Sequence, residues 1–175
     1  QGVRADLIFA GLWLILPVLL APLLAGKKQF MLWRRFSHIW VLLGLCLVIF
    51  IEVSTPQFIL QYDIRPNRLY VEYLKYPKEV FSTLWQGYRS MLLGGIAVTA
   101  LLLWGLHHVF SRVTAATQPY TGKTLWLTWP LVVLLVFAAV RSSTEHRPAN
   151  PAMFAVTSDA LVNSLIINSP YSVLY

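Results

Sequence analysis

The sequence has little charge and almost none of the residue types from which disulfide or metal frameworks are built. Of its 175 residues, 12% are charged and 57% are hydrophobic, whereas soluble domains carry about 25% charged residues. The single cysteine, Cys46, lies in an apolar run, which excludes a disulfide framework and a cysteine-ligated metal site. This composition predicts an integral membrane protein.

Sequence signatures of catalysis are also missing. There is no G-x-S-x-G nucleophile elbow, no phosphate-binding glycine loop and no Cys/His spacing typical of a metal site. The adjacent His107 and His108 lie at a helix end and face different directions, so they make a poor metal site. His38 and His146 stand alone in the sequence. We therefore expect no catalytic residue and no metal ligand in this chain.

Four apolar stretches are long enough to cross a bilayer, which needs about 20 helical residues. They are residues 7–25, 37–55, 91–110 and 124–140. Pro17 and Pro22 lie in the first stretch and Pro130 in the fourth, and neighbouring helices can re-satisfy the backbone groups that such prolines free. The predicted fold is an all-α integral membrane bundle of four transmembrane helices.

A polar and aromatic insert, residues 61–90, separates the second and third spans. Pro66 and Pro77 each fit the first turn of a short helix, which predicts two amphipathic helices within about 64–89. One face of the second helix carries Val80, Phe81, Leu84, Trp85 and Tyr88. Amphipathic rings favour the headgroup layer. The insert is either a structural elbow between two spans or a lipid-headgroup site.

Basic and aromatic residues of the insert are the candidates for headgroup contact. They are Arg65, Arg68, Tyr73, Lys75 and Trp85. Basic side chains at a membrane surface attract the phosphates of anionic lipids. Because Asp63, Glu72 and Glu79 are interleaved with them, a solvated interfacial face is an equal alternative.

Charged residues also mark the ends of the predicted spans. On one side of the membrane these are Arg4, Asp6, Glu52, Arg89 and Arg141, which together can form an ion-paired ring. An ionisable residue within a span costs at least ~2.5 kcal/mol at mid-bilayer, so it usually has a partner. The ring is interpreted either as a clamp that holds the bundle or as a polar floor that contacts a lipid phosphate or a catalytic domain above it.

The distribution of Lys and Arg predicts the orientation. The short loops 26–38 and 110–123 hold six of the fourteen basic residues and no acid, whereas the other eight are mixed with acids. A raw count slightly favours the opposite orientation, but density in short loops favours placing these two loops in the cytoplasm. Residues 56–90 and the C-terminal tail then face outward. Basic residues at the ends of apolar runs fit anionic lipid rather than nucleic acid.

The tail after the fourth span is less apolar and predicts a helical linker. Residues 147–151, R-P-A-N-P, indicate a proline-bounded turn. Thr157 or Ser158 can cap a short helix, and Ser169 with Pro170 begins a second one. The expected domains are a transmembrane domain, 1–142, and an extracytoplasmic linker, 143–175. A start without Met and a helix that begins close to Tyr175 predict a longer natural protein.

Three segments carry a resemblance to a known family. They are G-V-R-A-D at 2–6, D-I-R-P-N-R-L-Y-V-E-Y-L-K-Y-P at 63–77, and R-P-A-N-P…S-D-A-L-V-N-S…N-S-P-Y-S-V-L-Y within 147–175. In this order and spacing they resemble the membrane portion of the lipoteichoic acid synthase family, the sulfatase-type phosphoglycerol transferases of bacterial envelopes. The likeness is to Gram-negative members and covers nearly the whole chain.

The resemblance implies five spans, a linker and an α/β sulfatase-like domain outside the membrane, so that the family's first helix would precede Gln1. In such enzymes a threonine activated by Mn²⁺ or Mg²⁺ attacks a phospholipid headgroup and passes glycerol phosphate to an acceptor. The motifs for that chemistry do not fall in this chain. The resemblance therefore assigns it no catalytic residue and no cofactor.

The expected function is that of the membrane anchor and lipid-presenting region of a phosphoglycerol or phosphoethanolamine transferase. It would hold its own catalytic domain at the outer face of the bacterial cytoplasmic (inner) membrane and present phosphatidylglycerol-like headgroups. The alternative is a non-catalytic membrane module that binds a lipid or a partner protein. A transporter is disfavoured because no span is polar enough to line a path.

Overall fold

A computed structural model describes residues 1–73, 75–120, 122–143, 146 and 149–174. The helices are α1 (Gly2–Leu24), α2 (Phe30–Tyr62), α3 (Arg68–Tyr73), α4 (Pro77–Gly87), α5 (Arg89–Ala115), α6 (Gly122–Arg141), α7 (Ala160–Ile166) and α8 (Ser169–Leu174), with a 3₁₀ turn at Pro151–Phe154. The protein is 82% helical and has no strand within these described ranges, which confirms the all-α prediction.

Four of the helices, α1, α2, α5 and α6, are long and apolar enough to cross a membrane. Only 6–17% of the residues in their most apolar windows are buried inside the chain. Helices that are apolar all round and remain exposed have no stable place in water. Their surfaces instead match the hydrocarbon of a bilayer, and the chain is an integral membrane protein of the all-α class.

The membrane helices are longer than the apolar stretches that predict them. The second stretch, predicted as 37–55, belongs to a helix that runs from Phe30 to Tyr62. The helix includes Arg34 and Arg35, which precede the apolar stretch, because arginine is a good helix former. The helix continues through Pro56 to Tyr62, since a proline inside a helix removes one hydrogen bond but does not always end the helix.

Predicted starts of the short helices are only partly right. Pro77 is the first residue of α4, as expected. Pro66, in contrast, precedes α3, because the Asn67 side chain accepts a hydrogen bond from the Leu69 N–H (2.9 Å) and caps that helix. An asparagine side chain just before a helix can accept a hydrogen bond from a free backbone N–H of the first turn, which a proline side chain cannot do.

The two helices of the tail are also capped by residues other than the predicted ones. Asp159, not Thr157 or Ser158, caps α7, since its carboxylate accepts from two backbone N–H groups at the start of that helix (2.8 and 3.2 Å). Asn168 accepts from the Tyr171 N–H at 2.7 Å and so caps α8 one residue before the predicted Ser169. The predicted 147–151 turn lies in part outside the described residues.

Contacts within the chain define two compact units. The first unit comprises Gln1–Asp6, Cys46–Leu103 and Asn150–Tyr175, and the second comprises Leu7–Leu45 and Trp104–Ala149. Helices α1, α2 and α5 each contribute residues to both units. The first unit contains the insert and the tail, whereas the second contains the remaining halves of those helices together with α6.

Two prolines of α1 create a local need for hydrogen-bond donors in the second unit. A proline at position i has no N–H to give to the carbonyl at i−4, so Pro17 frees the Trp13 carbonyl and Pro22 frees that of Val18. In hydrocarbon no water can take the place of the missing donor. A donor on a neighbouring helix is one way to satisfy such a freed carbonyl.

Tryptophan indoles supply these donors. The Trp40 Nε1–H donates to the freed Trp13 carbonyl at 2.8 Å, and the Trp13 Nε1–H donates back to the Trp40 carbonyl at 2.9 Å. The Trp129 Nε1–H donates to the freed Val18 carbonyl at 2.7 Å. Gly44 admits the first pair, because an added Cβ would lie 2.7–2.8 Å from the Trp13 ring carbons. Prolines on α1 thus specify its partners on α2 and α6.

Candidate functional site

The insert begins with a sharp turn at the end of α2. Asp63 closes that helix by donating its N–H to the Ile59 carbonyl at 2.8 Å. Its φ of 54° lies in the left-handed region, which aspartate tolerates better than most residues. The turn directs the next residues back along the first unit. It thereby places Arg65 beside Glu52, one of the charges predicted at a span end.

Arg65 and Glu52 form the central ion pair of the first unit. The Arg65 Nη2 lies 2.8 Å from Glu52 Oε2, and the two side chains are 13% and 33% exposed. Arg65 also donates through Nε to Ser169 Oγ (2.7 Å) and through Nη1 to the carbonyls of Leu165 (3.2 Å) and Ile167. Four of the five guanidinium N–H groups are thus bonded within the protein.

Ser169 completes this arrangement from the tail. Its N–H donates to Glu52 Oε1 at 2.7 Å, and its hydroxyl lies 2.7 Å from the Thr55 hydroxyl. Because Thr55 donates its own proton to the Ile51 carbonyl, the Ser169 hydroxyl donates to Thr55 and accepts from Arg65. Arg65 only donates and Glu52 only accepts, whereas the Ser169 and Thr55 hydroxyls each donate one hydrogen bond and accept another. We call Glu52, Thr55, Arg65 and Ser169 the latch.

The N-terminal segment contacts the same tail. The Asn168 amide donates to Asp6 Oδ1 at 2.7 Å, and the Arg4 guanidinium lies 5.7 Å from the centre of the Phe154 ring. Phe154 packs edge-to-face on Tyr171 at 5.6 Å, and both rings are buried. The latch and these contacts hold the tail to the first unit through charge, hydrogen bonds and aromatic packing.

Helix α3 carries the exposed polar part of the insert and packs against α8. Arg68 lies 3.5 Å from Glu72 and is 82% exposed, so this ion pair is solvent-screened. Together with Val71 and Lys75 the pair lines a shallow cavity of about 390 Å³. Tyr73 stacks on Tyr62 at 6.2 Å. Arg68 and Lys75 are the candidate cations that remain accessible to a headgroup.

Helix α4 has the form of an interfacial helix. None of its residues is buried, and its apolar face presents the stacked rings of Phe81 and Trp85, 58% and 41% exposed. The Arg89 guanidinium lies 4.5 Å from the centre of the Trp85 ring, a cation–π geometry. An amphipathic helix with an uncovered aromatic face is suited to the headgroup layer.

The structure distributes the predicted charge ring among different partners. Glu52 pairs with Arg65, which was not a predicted member of the ring. Asp6 pairs with an amide, Arg89 stacks on an indole, and the Arg141 Nε donates to the Ser143 carbonyl at 3.1 Å. Arg4, Asp6, Glu52 and Arg89 belong to the first unit and Arg141 to the second.

Sequence reasoning did not single out Thr55, Asn168 or Ser169 as partners of these charges. The sequence predicts only a capping role for Ser169, yet its hydroxyl bonds to Thr55 and its N–H to Glu52. The signal that could have pointed to it is the carboxylate at the end of a span, which requires nearby donors. The sequence does not say that those donors come from the tail.

No group of three His, Cys, Asp or Glu side chains that could hold a metal ion occurs among the described residues. The fold and these helices define an integral membrane protein. No protein-family model matches the chain, and no solved structure is significantly similar to it.

Proposed function

We propose that this chain is the membrane anchor and lipid-presenting region of a phosphoglycerol or phosphoethanolamine transferase of the lipoteichoic acid synthase type. It acts at the outer face of the bacterial cytoplasmic membrane, with the insert and the tail on that outer side. The latch fixes the tail that leads toward the catalytic domain, and α3 and α4 receive the lipid headgroup beside it.

The observation that carries the proposal is the association of the three resembling segments. Residues 2–6, residues 63–77 and the part of the tail from Asn150 onward are far apart in the sequence but share the first unit. The latch and the contact between Asp6 and Asn168 join them directly. A resemblance spread over segments that contact one another is easier to explain by a common role than one spread over unrelated surfaces. Docking a linker is such a role.

Arg65 has a different role in this proposal from that of the other headgroup candidates. Its guanidinium is bonded to Glu52 and to the tail, so Arg65 is a positioning residue. Arg68 and Lys75 attract the phosphate, while Trp85 seats α4 among the headgroups.

The chemistry itself belongs to the proposed catalytic domain. There the threonine oxygen forms a bond to the headgroup phosphorus while the bond from phosphorus to the diacylglycerol oxygen breaks, and that oxygen takes up a proton. A bound Mn²⁺ or Mg²⁺ would supply charge stabilisation for this transfer. The role of the chain described here is to hold donor lipid and catalytic domain within reach of each other.

Turnover tests the function. The protein in its natural length, reconstituted in vesicles of labelled phosphatidylglycerol with Mn²⁺, should release labelled diacylglycerol. A protein that folds and binds phosphatidylglycerol but releases none would contradict the transferase proposal. That result would favour the alternative, a non-catalytic module that binds lipid.

Lipid binding tests the role of α3. In detergent micelles, Arg68→Ala/Lys75→Ala should weaken binding of short-chain phosphatidylglycerol at the insert by about thirtyfold, because each of the two basic residues contributes about 1 kcal/mol near an anionic group. Lys27→Ala/Lys28→Ala removes the same charge from the opposite predicted side. If native mass spectrometry shows the same loss of bound lipid in both variants, the insert has no special role and is a plain elbow.

The proposed orientation has a separate test in cells. With Cys46 replaced by serine, a cysteine at Ser82 should react with a membrane-impermeant maleimide added outside the cytoplasmic membrane. A cysteine at Gln29 should react only after that membrane is permeabilised. Both positions are exposed, so accessibility to the reagent reports the side of the membrane. The reverse labelling pattern would show that the orientation is opposite to the proposed one.

A further inference from the structure

The second unit carries positive charge that its own acids do not balance. Its sequence ranges contain eight Lys or Arg residues and one acid, Glu145, which lies outside the described residues. Arg35 makes no hydrogen bond or ion pair with any described residue, and Arg34 is bonded to a methionine sulfur at 3.8 Å. Cations at a membrane boundary that lack carboxylate partners favour an external anion.

Two of these cations converge on one cavity. Arg34 and Arg35 line a space of about 200 Å³ together with His38, Ile39 and Thr114. The four residues from α2 are at i, i+1, i+4 and i+5, so they share one face of that helix. Guanidinium groups match phosphate oxygens in a bidentate geometry that lysine cannot reproduce. Paired arginines without an acid thus form a site suited to a phosphate group.

A histidine pair adjoins the cavity. His38 Nε2 lies 3.0 Å from His107 Nδ1, which joins α2 to α5 within the second unit. One ring must donate and the other accept in this bond. The pair thereby places a polar contact between two helices beside Arg34 and Arg35. The sequence places His38 alone and His107 next to His108, and only the fold brings His38 and His107 together.

The surroundings favour a lipid over a free phosphate ion. Trp33, Phe36 and Trp40 form a chain of ring contacts along α2, 6.1 and 5.8 Å between centres, and such rings are typical of the membrane–water interface. Ile39 adds an apolar wall to the cavity. We propose that Arg34, Arg35 and His38 bind the phosphodiester group of an anionic phospholipid, with its glycerol and upper acyl carbons against Ile39.

The test uses the chain in detergent micelles with the Arg68→Ala/Lys75→Ala changes, so that the insert contributes little binding. Short-chain phosphatidylglycerol is titrated and the bound lipid is counted by native mass spectrometry. Arg34→Gln/Arg35→Gln should weaken binding by at least about tenfold. Lys27→Gln/Lys28→Gln removes the same charge from the same unit but not from the cavity, and should change binding by no more than about twofold.

Several results would overturn the proposal. Equal losses in the two charge-matched variants would indicate non-specific attraction, and equal binding of phosphatidylcholine would exclude recognition of an anionic lipid. Displacement of the lipid by inorganic phosphate at equal concentration would assign the cavity to a free anion. Arg34→Lys/Arg35→Lys keeps the charge and guards against misfolding of the glutamine variant. It should bind several-fold more weakly than arginine, and unchanged binding would refute the bidentate site.

Discussion

Arg65→Ala is expected to release the C-terminal tail from the first unit while the membrane helices stay folded. The substitution leaves the Glu52 carboxylate without its cation and removes the donors to the Leu165 and Ile167 carbonyls. Truncating one partner of a partly buried ion pair that is also hydrogen-bonded costs about 2–4 kcal/mol. In detergent micelles, limited proteolysis should cut residues 150–170 faster by at least about tenfold, a factor that corresponds to ~1.4 kcal/mol.

The exposed ion pair on α3 is the control for this experiment. Arg68→Ala removes the same type of side chain from a carboxylate at 3.5 Å, but that arginine is 82% exposed. Exposed pairs contribute about 0–1 kcal/mol, so cleavage of the tail should change little. Equal cleavage in both variants would mean that Arg65 does not hold the tail. Glu52→Gln should give part of the effect of Arg65→Ala, because the amide still accepts from the Ser169 N–H.

The fold class can be predicted from the sequence because it depends on the hydrophobicity of continuous segments. Apolar runs of 17 residues or more require internally hydrogen-bonded backbone in lipid, so the four membrane helices could be predicted together with their order. Pro77 likewise begins α4 because its ring fixes φ near the helical value and its missing N–H is not needed in the first turn. The ends of α2 could not be found in this way, because Arg34 and Pro56 lie outside the apolar run but are compatible with helix.

The partners of the charges depend on tertiary structure. Glu52 could be predicted to need a counter-ion, but Ser169 bonds to it across 117 positions of sequence, and no periodicity links the two. The sequence groups Arg65 with Arg68, because both are basic and near each other. Burial separates them, since one is 13% exposed and the other 82%. Local pattern therefore identifies candidate residues, and packing decides which of them stabilise and which can bind.

Trp129→Phe should destabilise the second unit by about 1–3 kcal/mol. The phenylalanine ring keeps most of the apolar contact but cannot donate to the Val18 carbonyl, which Pro22 has already deprived of its helical N–H. A carbonyl without a donor is costly in hydrocarbon. The change should appear as a lower midpoint of thermal unfolding in micelles, followed by loss of helical circular dichroism.

A second substitution separates this cause from simple loss of packing. Pro22→Ala returns an N–H to α1 at the position that can reach the Val18 carbonyl, so the Trp129→Phe/Pro22→Ala variant should recover about 1–2 kcal/mol of the loss. Trp126→Phe is the matched control, since that indole is 65% exposed and makes no side-chain hydrogen bond to a described residue. It should leave the midpoint nearly unchanged. If Pro22→Ala fails to rescue Trp129→Phe, the indole contributes through its volume, and prolines do not specify the partners of α1.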